Sequence, residues 1–280
     1  MTALVLDDVV RDIRDLPSLP PIVIELINSF EQADVSIAAV ADKVSRDQAL
    51  AAKTLRLANS SFYGLQHKVR TIPQAITVLG FDSIRALITS AGIIDNFSGG
   101  EHDTFDFRMF WRHAVGTALC AKMLARALNL NQDYAFMSGL LHDIGKLVLV
   151  TRFPQLYALT IAHRNTHDCY MLEAERATLG LDHPTVGKAL AEYWKFPPLI
   201  QRAIANHHMP AMQDLGDIPS VVHVANAIVH ALDLSGDQHD LVPPIVERAW
   251  SSLNISPATL KSVFRETESQ FDEACMILTA

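Results

Sequence analysis

The chain has 280 residues, 49% of them apolar and 19% charged, with a formal net charge of −8. It is too apolar to be disordered and too poor in Gly and Pro to be fibrous or of low complexity. The absence of any run of Lys and Arg argues against nucleic-acid binding through a basic face, and three cysteines without CxxC spacing argue against a disulfide framework or a zinc ribbon.

The opening segment, MTALVLDDVVRDIRD, lacks the basic-then-apolar order of a signal peptide. No apolar run reaches about 18 residues without a charge or a helix breaker. A soluble, cytoplasmic protein with no membrane partner is expected. Helical spacing then dominates. Ile22, Val23, Leu26, Ile27 and Phe30 recur at three to four residues, as do Ile37, Val40, Ala41 and Val44 behind Ser36 as N-cap. Asp47 is expected to cap a helix with Leu50, Thr54, Leu57 and Ala58 on one face, ending at Asn59-Ser60-Ser61. Thr71-Ile72-Pro73 opens a further helix that Gly80 ends. Asp82 or Ser83 opens the next, through Ile84, Leu87 and Ile88. Arg56, Asn59, Gln74 and Arg85 are expected on exposed faces, as a partner surface or as ordinary solvated positions.

The stretch Asn96-Phe97-Ser98-Gly99-Gly100-Glu101-His102-Asp103 reads as a connection between two helical halves, 1–97 and 104–280. Histidine is unevenly spread between them. Of 12 in the chain, all but His67 and His102 lie in the second half, so any chemistry is expected there. Cys120 and Cys275 sit in apolar stretches and read as buried, inert thiols. At the end, Leu260, Val263, Phe264, Phe271, Cys275 and Leu278 mark a helix capped by Ser256-Pro257, expected to pack on the second half.

In the second half, His113 shares a helical face with Gly116, Thr117 and Cys120. His142-Asp143 follows the apolar helix 135–141 and precedes Ile144 and Leu147–Val150, which read as helix. A His-Asp pair in such surroundings is costly to bury unless paired or metal-bound. His183 stands at a helix start, His207-His208 at a helix end, and His223 and Asn226 at i, i+3 on one face. Imidazole and carboxylate together suit Zn, Fe, Mn or Ni, and helices that aim such groups inward can build a metal site. His163, His167, His230 and His239 read as ordinary surface or core residues.

These residues resemble the HD superfamily of metal-dependent phosphohydrolases and, more closely, its signalling relatives, the HDOD domains. The resemblance rests on Leu16-Pro17-Ser18-Leu19-Pro20, on Leu55–Ser60, on Ala75-Ile76 with Leu79-Gly80, and on Gly139–Lys146. Glu173 to His183 with Gly187, and Ala203-Ile204 to His207-His208, extend it, so that it covers about residues 14–230. It implies an all-α, multi-helical fold of two lobes: an N-terminal lobe at 1–97, and an HD-domain-like lobe at 104–280 with a helical extension. It also implies a bacterial regulatory module that acts through a signalling protein partner, with a metal-dependent phosphohydrolase of phosphodiesterase type as the alternative.

The resemblance further implies one or two divalent ions, of Fe, Mn, Zn or Mg, and a phosphoester or nucleotide ligand. By its pattern His113, His142, Asp143, His183, His207, His208 and Asn226 would ligate. Asp143 and Lys146 would be catalytic, Lys146 lying near the scissile phosphate. The chain departs from the HD-GYP subgroup in two places. Asn226 stands where the last HD-type aspartate is expected, bringing no charge. And Met209–Asp214 follows His208 in place of a Gly-Tyr-Pro loop, which counts against cyclic-di-GMP hydrolysis of that kind.

Overall fold

The structure, a computed structural model, describes residues 4–14, 16, 18–31, 36–61, 63–97 and 105–279. The described residues form sixteen α-helices and no strand. The first half carries α1 (Leu6–Ile13), α2 (Pro21–Asn28), α3 (Ile37–Arg46), α4 (Gln48–Ala58), α5 (Ile72–Leu79) and α6 (Phe81–Phe97). The second carries α7 (Phe107–Ala127), α8 (Gln132–Leu141), α9 (Ile144–Arg152), α10 (Pro154–His167), α11 (Met171–Leu179) and α12 (His183–Tyr193), then α13 (Pro198–Asn206), α14 (Ile218–Ala231), α15 (Glu247–Leu253) and α16 (Pro257–Leu278). The all-helical fold agrees with the sequence. The connection expected at 98–103, with His102, lies outside the described residues, as does Pro17 of the Leu16–Pro20 stretch.

Local chemistry sets the helix starts. Side-chain oxygens accept the otherwise orphaned first-turn N–H groups: Ser36 from Ala39, Asp47 from Leu50, Thr71 from Gln74, Asp182 from Thr185 and Ser256 from Thr259. Gly80 ends α5 at φ +85°, which an L side chain rarely adopts. The next helix starts directly at Phe81, one or two residues before the expected Asp82 or Ser83.

Packing joins the two halves. One apolar core runs from Val9, Val23 and Leu57 through Ile88 to Trp111, Leu140, Leu149 and Leu278. The long helix α7 is central, with α8, α14 and α16 packed on it, and α16 also reaches α4. A second apolar cluster lies under α7, α14, α15 and α16, around Leu124, Val221, Val224 and Val263. Cys120 and Cys275 are buried free thiols, both pushed up to about 12 by burial. None of the described helices is long and apolar enough to cross a membrane.

The polar set expected on exposed faces divides. Arg56 and Gln74 are exposed. Arg85 is buried instead: it donates to the Ser29 carbonyl at 2.8 Å and to Asp82 at 2.7 Å, and stacks 3.9 Å over the Phe30 ring. Asn59 is half-buried and holds Val69 through hydrogen bonds to both its N–H and its carbonyl. Both are structural.

Candidate metal centre

Four helix ends and two helix faces meet at one point in the second half. His113 projects from α7 and Asn226 from α14. His142 and Asp143 occupy the junction of α8 and α9, with Lys146 in the first turn of α9. His183 is the first residue of α12, and His207-His208 follow α13 directly. All of these are buried except His208 and Lys146, which are half-buried.

A close approach of backbones brings α9 and α12 together. A Cβ at Gly145 would lie 2.0 Å from the His183 carbonyl oxygen and 2.6 Å from the Gly187 nitrogen. Only glycine fits there, and the contact sets His183 against Asp143. Gly187 in turn faces Ile204 of α13, the helix that leads to His207.

Asp143 stands between two sets of imidazoles. Its Oδ1 lies 3.1 Å from His183 Nε2 and 3.5 Å from His207 Nε2. Its Oδ2 lies 3.4 Å from His142 Nε2, 3.9 Å from His113 Nε2 and 2.6 Å from Lys146 Nζ. Burial pushes the Asp143 carboxyl up, but the charges of His142, Lys146 and His183 outweigh it and hold the group well below the usual carboxylate range.

The rings are fixed from behind, as metal-binding imidazoles are. His142 Nδ1 donates to the Gly139 carbonyl at 2.7 Å, and His207 Nδ1 to that of Ile204 at 2.8 Å. His183 Nδ1 donates to Glu175 at 2.6 Å; the same carboxylate oxygen accepts the His183 backbone N–H at 2.8 Å, and Tyr157 donates to its other oxygen at 3.1 Å. Burial depresses His113 well below the ordinary range and brings His207 to about 3. For His183 burial also pulls down, but Glu175 overrides it and the pKa is raised.

This arrangement fits a cation. His207 carries its proton on Nδ1, so its Nε2 presents a lone pair. That lone pair lies 3.2 Å from His183 Nε2, which also faces His208 Nε2 at 3.1 Å and Asp143 Oδ1 at 3.1 Å. Protons are few among these atoms: His207 Nε2 and Asp143 Oδ1 bring none, and Asp143 Oδ1 has no aligned hydrogen bond. The donor atoms of Asp143, His183, His207 and His208 lie within 4.8 Å of one another, as do those of His113, His142 and Asp143. Asn226 Oδ1 completes the second set at 2.9 Å from His113 Nε2.

Beside the cluster opens a cavity of about 320 Å³, within the range of small-ligand sites. Lys146, His183 and His208 line its inner end, and Phe110, Tyr157 and Ile161 its apolar wall.

His113, His142, Asp143, Lys146, His183, His207, His208 and Asn226 all lie within this cluster, but one candidate histidine, His223, does not. Its Nδ1 donates to the His207 carbonyl at 2.7 Å and its Nε2 accepts from Val246 N–H at 2.9 Å, so both nitrogens serve the backbone. Glu175 and Tyr157 are additions, although Glu175 had a signal: Met171, Glu175 and Leu179 recur at i, i+4, i+8 and share the inner face of α11. His230, read as ordinary, stacks on His113 with ring centroids 4.3 Å apart and lies 2.6 Å from Asp240. After His208 the chain forms a short turn around buried Asp214, which accepts from Arg202 and Asn206.

Known proteins share this architecture. A crystal structure of an HDOD domain protein from Geobacter sulfurreducens superposes with a TM-score of 0.79 at 25% identity, over 97% of this chain and 96% of its own. A protein from Shewanella amazonensis SB2B that carries a provisional phosphohydrolase name gives 0.77 at 26% identity, over 96% and 97%. A curated protein of Treponema pallidum (strain Nichols) is 28% identical over 228 residues. That match spans 79% of this chain but 43% of the Treponema protein, so this chain corresponds to less than half the length of that relative. The sequence pattern of the HDOD domain matches residues 16–210, and the chain belongs to the HDOD domain family.

Proposed function

We propose that this chain is a bacterial regulatory protein whose second half carries a two-ion, phosphoester-hydrolysing centre. The observation that carries the reading is Asp143, one carboxylate shared between two sets of histidines, with Lys146 beside it at the inner end of a cavity. His183, His207 and His208 would hold one divalent ion through Asp143 Oδ1. His113, His142 and Asn226 would hold the other through Oδ2. Nitrogen and carboxylate donors of this kind suit Zn, Fe or Mn. A divalent ion supplies Lewis acidity there, lowering the pKa of a neighbouring water towards about 7.

The chain's own residues do the rest. The Lys146 ammonium holds Asp143 in place and faces the cavity, where it offsets the negative charge of a bound phosphoryl group. Glu175 and the Gly139 and Ile204 carbonyls fix the rings that surround it. Phe110, Tyr157 and Ile161 exclude water from one side, which strengthens every charge interaction inside.

One observation favours a second reading, a metal-loaded module that binds its ligand and signals to a protein partner without turnover. Asn226 supplies an amide where a carboxylate would add charge. The experiment that separates the two is metal analysis of protein purified without chelators, together with hydrolysis of bis-para-nitrophenyl phosphate with added Mn²⁺. Turnover that disappears in His142→Ala and Asp143→Ala supports the enzyme. Bound metal without turnover supports the module. Absence of both metal and turnover defeats each reading.

A further inference from the structure

The two ion positions differ in three independent ways, and all three point in one direction. The first is charge. The set around Asp143 Oδ1 has three imidazoles, one of them backed by the buried carboxylate of Glu175. A carboxylate behind a ligating imidazole raises its basicity and fixes its orientation. The set around Oδ2 has two imidazoles and the neutral amide of Asn226, and no carboxylate backs either ring.

The second is competition. Asp143 Oδ2 already has the Lys146 ammonium 2.6 Å away, so an ion there shares its only negatively charged ligand atom with a fixed cation. No lysine or arginine is paired with Oδ1 among the described residues.

The third is the proton on His113. His142 Nδ1 donates to Gly139, which leaves the His142 Nε2 as an acceptor. His113 Nε2 lies 3.2 Å from that acceptor and 2.9 Å from Asn226 Oδ1, so it is the donor of this pair. To ligate through Nε2, His113 must carry its proton on Nδ1 instead. That atom is buried without a hydrogen-bond partner, so nothing is in place to receive it. In the first set, by contrast, His207 already donates its Nδ1 proton to a carbonyl, and His183 can give up a proton at Nε2 while its Nδ1–H stays on Glu175.

Building on the two-ion reading, we infer that the positions are graded: His183, His207 and His208 hold a tight, resident ion, while His113, His142 and Asn226 form a weak position that fills only when free divalent metal is plentiful. The centre is then complete or half-complete according to metal supply, which makes the same residues a metal-responsive control on whatever the cavity binds.

The test is calorimetric titration of chelator-stripped, full-length protein with Mn²⁺, followed by metal analysis after gel filtration. Wild type is expected to bind in two steps separated by about tenfold or more and to keep one ion through the column. Asn226→Asp supplies the missing charge and is expected to tighten the second step by about tenfold and retain two ions. Lys146→Met removes the competing ammonium from a half-buried position, tightens the same step, and serves as the test if Asn226→Asp does not fold. Glu175→Gln is expected to weaken the first step by about 10- to 100-fold and leave the second in place. Two steps of equal affinity in wild type overturn the grading while leaving the two-ion reading intact, as does a second step unmoved in folded Asn226→Asp and Lys146→Met. No ion bound to wild type overturns the two-ion reading itself, and the grading with it.

Discussion

The two halves of the molecule bury polar groups in opposite ways. In the first half, Arg85 places its two terminal nitrogens on Ser29 and Asp82, and buried Lys53 ends on Asp95 at 2.6 Å. Each buried cation there has an acidic partner of its own. In the second half, His142, Asp143, His183 and His207 are equally buried but face one another, several electron-pair donors to very few protons. Burial of charge alone therefore does not mark a site. What distinguishes the second half is convergence without mutual satisfaction, an arrangement that a bound cation would complete.

Four substitutions test that contrast, in descending order of expected effect. Asp143→Ala removes the atom pair common to both proposed ion positions. It is expected to bring bound metal to background and, if the centre turns over phosphodiesters, to lower the rate by about a hundredfold or more, read by metal analysis and steady-state assay. Gly145→Ala forces a Cβ into the backbone of α12, where two helices must part to admit it. A loss of about 1–3 kcal/mol in urea unfolding is expected, with bound metal falling too because His183 moves away from Asp143.

Arg85→Met keeps the bulk of the side chain but strands the Ser29 carbonyl. It is expected to cost about 1–2 kcal/mol by the same measurement and to leave metal content unchanged. If metal content falls, the contrast between the halves fails. The smallest effect is at Asp182, which caps α12 and so holds the helix start that carries His183. Asp182→Ala is expected to cost about 1 kcal/mol. Burial pushes the Asp182 carboxyl up, but hydrogen bonds from Thr185 and Arg176 outweigh it, so its folded-state pKa is lowered. Its contribution is therefore present above the unfolded value of about 3.9 and fades as pH falls through the folded one. The difference between wild type and variant should shrink below about pH 4.

Much of this was legible in the amino-acid order. Caps such as Ser36, Asp47 and Ser256 are local chemistry, decided within three residues, and the helices begin where those side chains reach back to the backbone. His142-Asp143 was legible because adjacent His and Asp in an apolar stretch are costly to bury, while the other candidate residues came from the resemblance to HD-type proteins. Other features depend on the third dimension. Arg85 lies on a helix whose inner face is almost entirely apolar, and only its approach to Phe30 and Ser29 makes burial tolerable. His223 has the spacing of a ligand, but the return of the chain to Val246 claims its second nitrogen. Glu175 sits in Glu173-Ala174-Glu175-Arg176, which reads as a solvated run until the stripe of Met171 and Leu179 is followed through it. The cavity, built from α7, α9, α10 and the segment after α14, has no signature in any one of them.

The seating of α16 on α4 and α7 bears on how the chain acquires its structure. The last helix covers apolar surface of one of the first. On a ribosome, which releases the N-terminal end well before the C-terminal one, that surface stays uncovered until α16 has emerged. Native contacts are long-range in sequence here, so the final step of folding should be slow compared with helix formation. Removing α16 should leave a chain that collapses, exposes the α4 and α7 surfaces it would have covered, and aggregates.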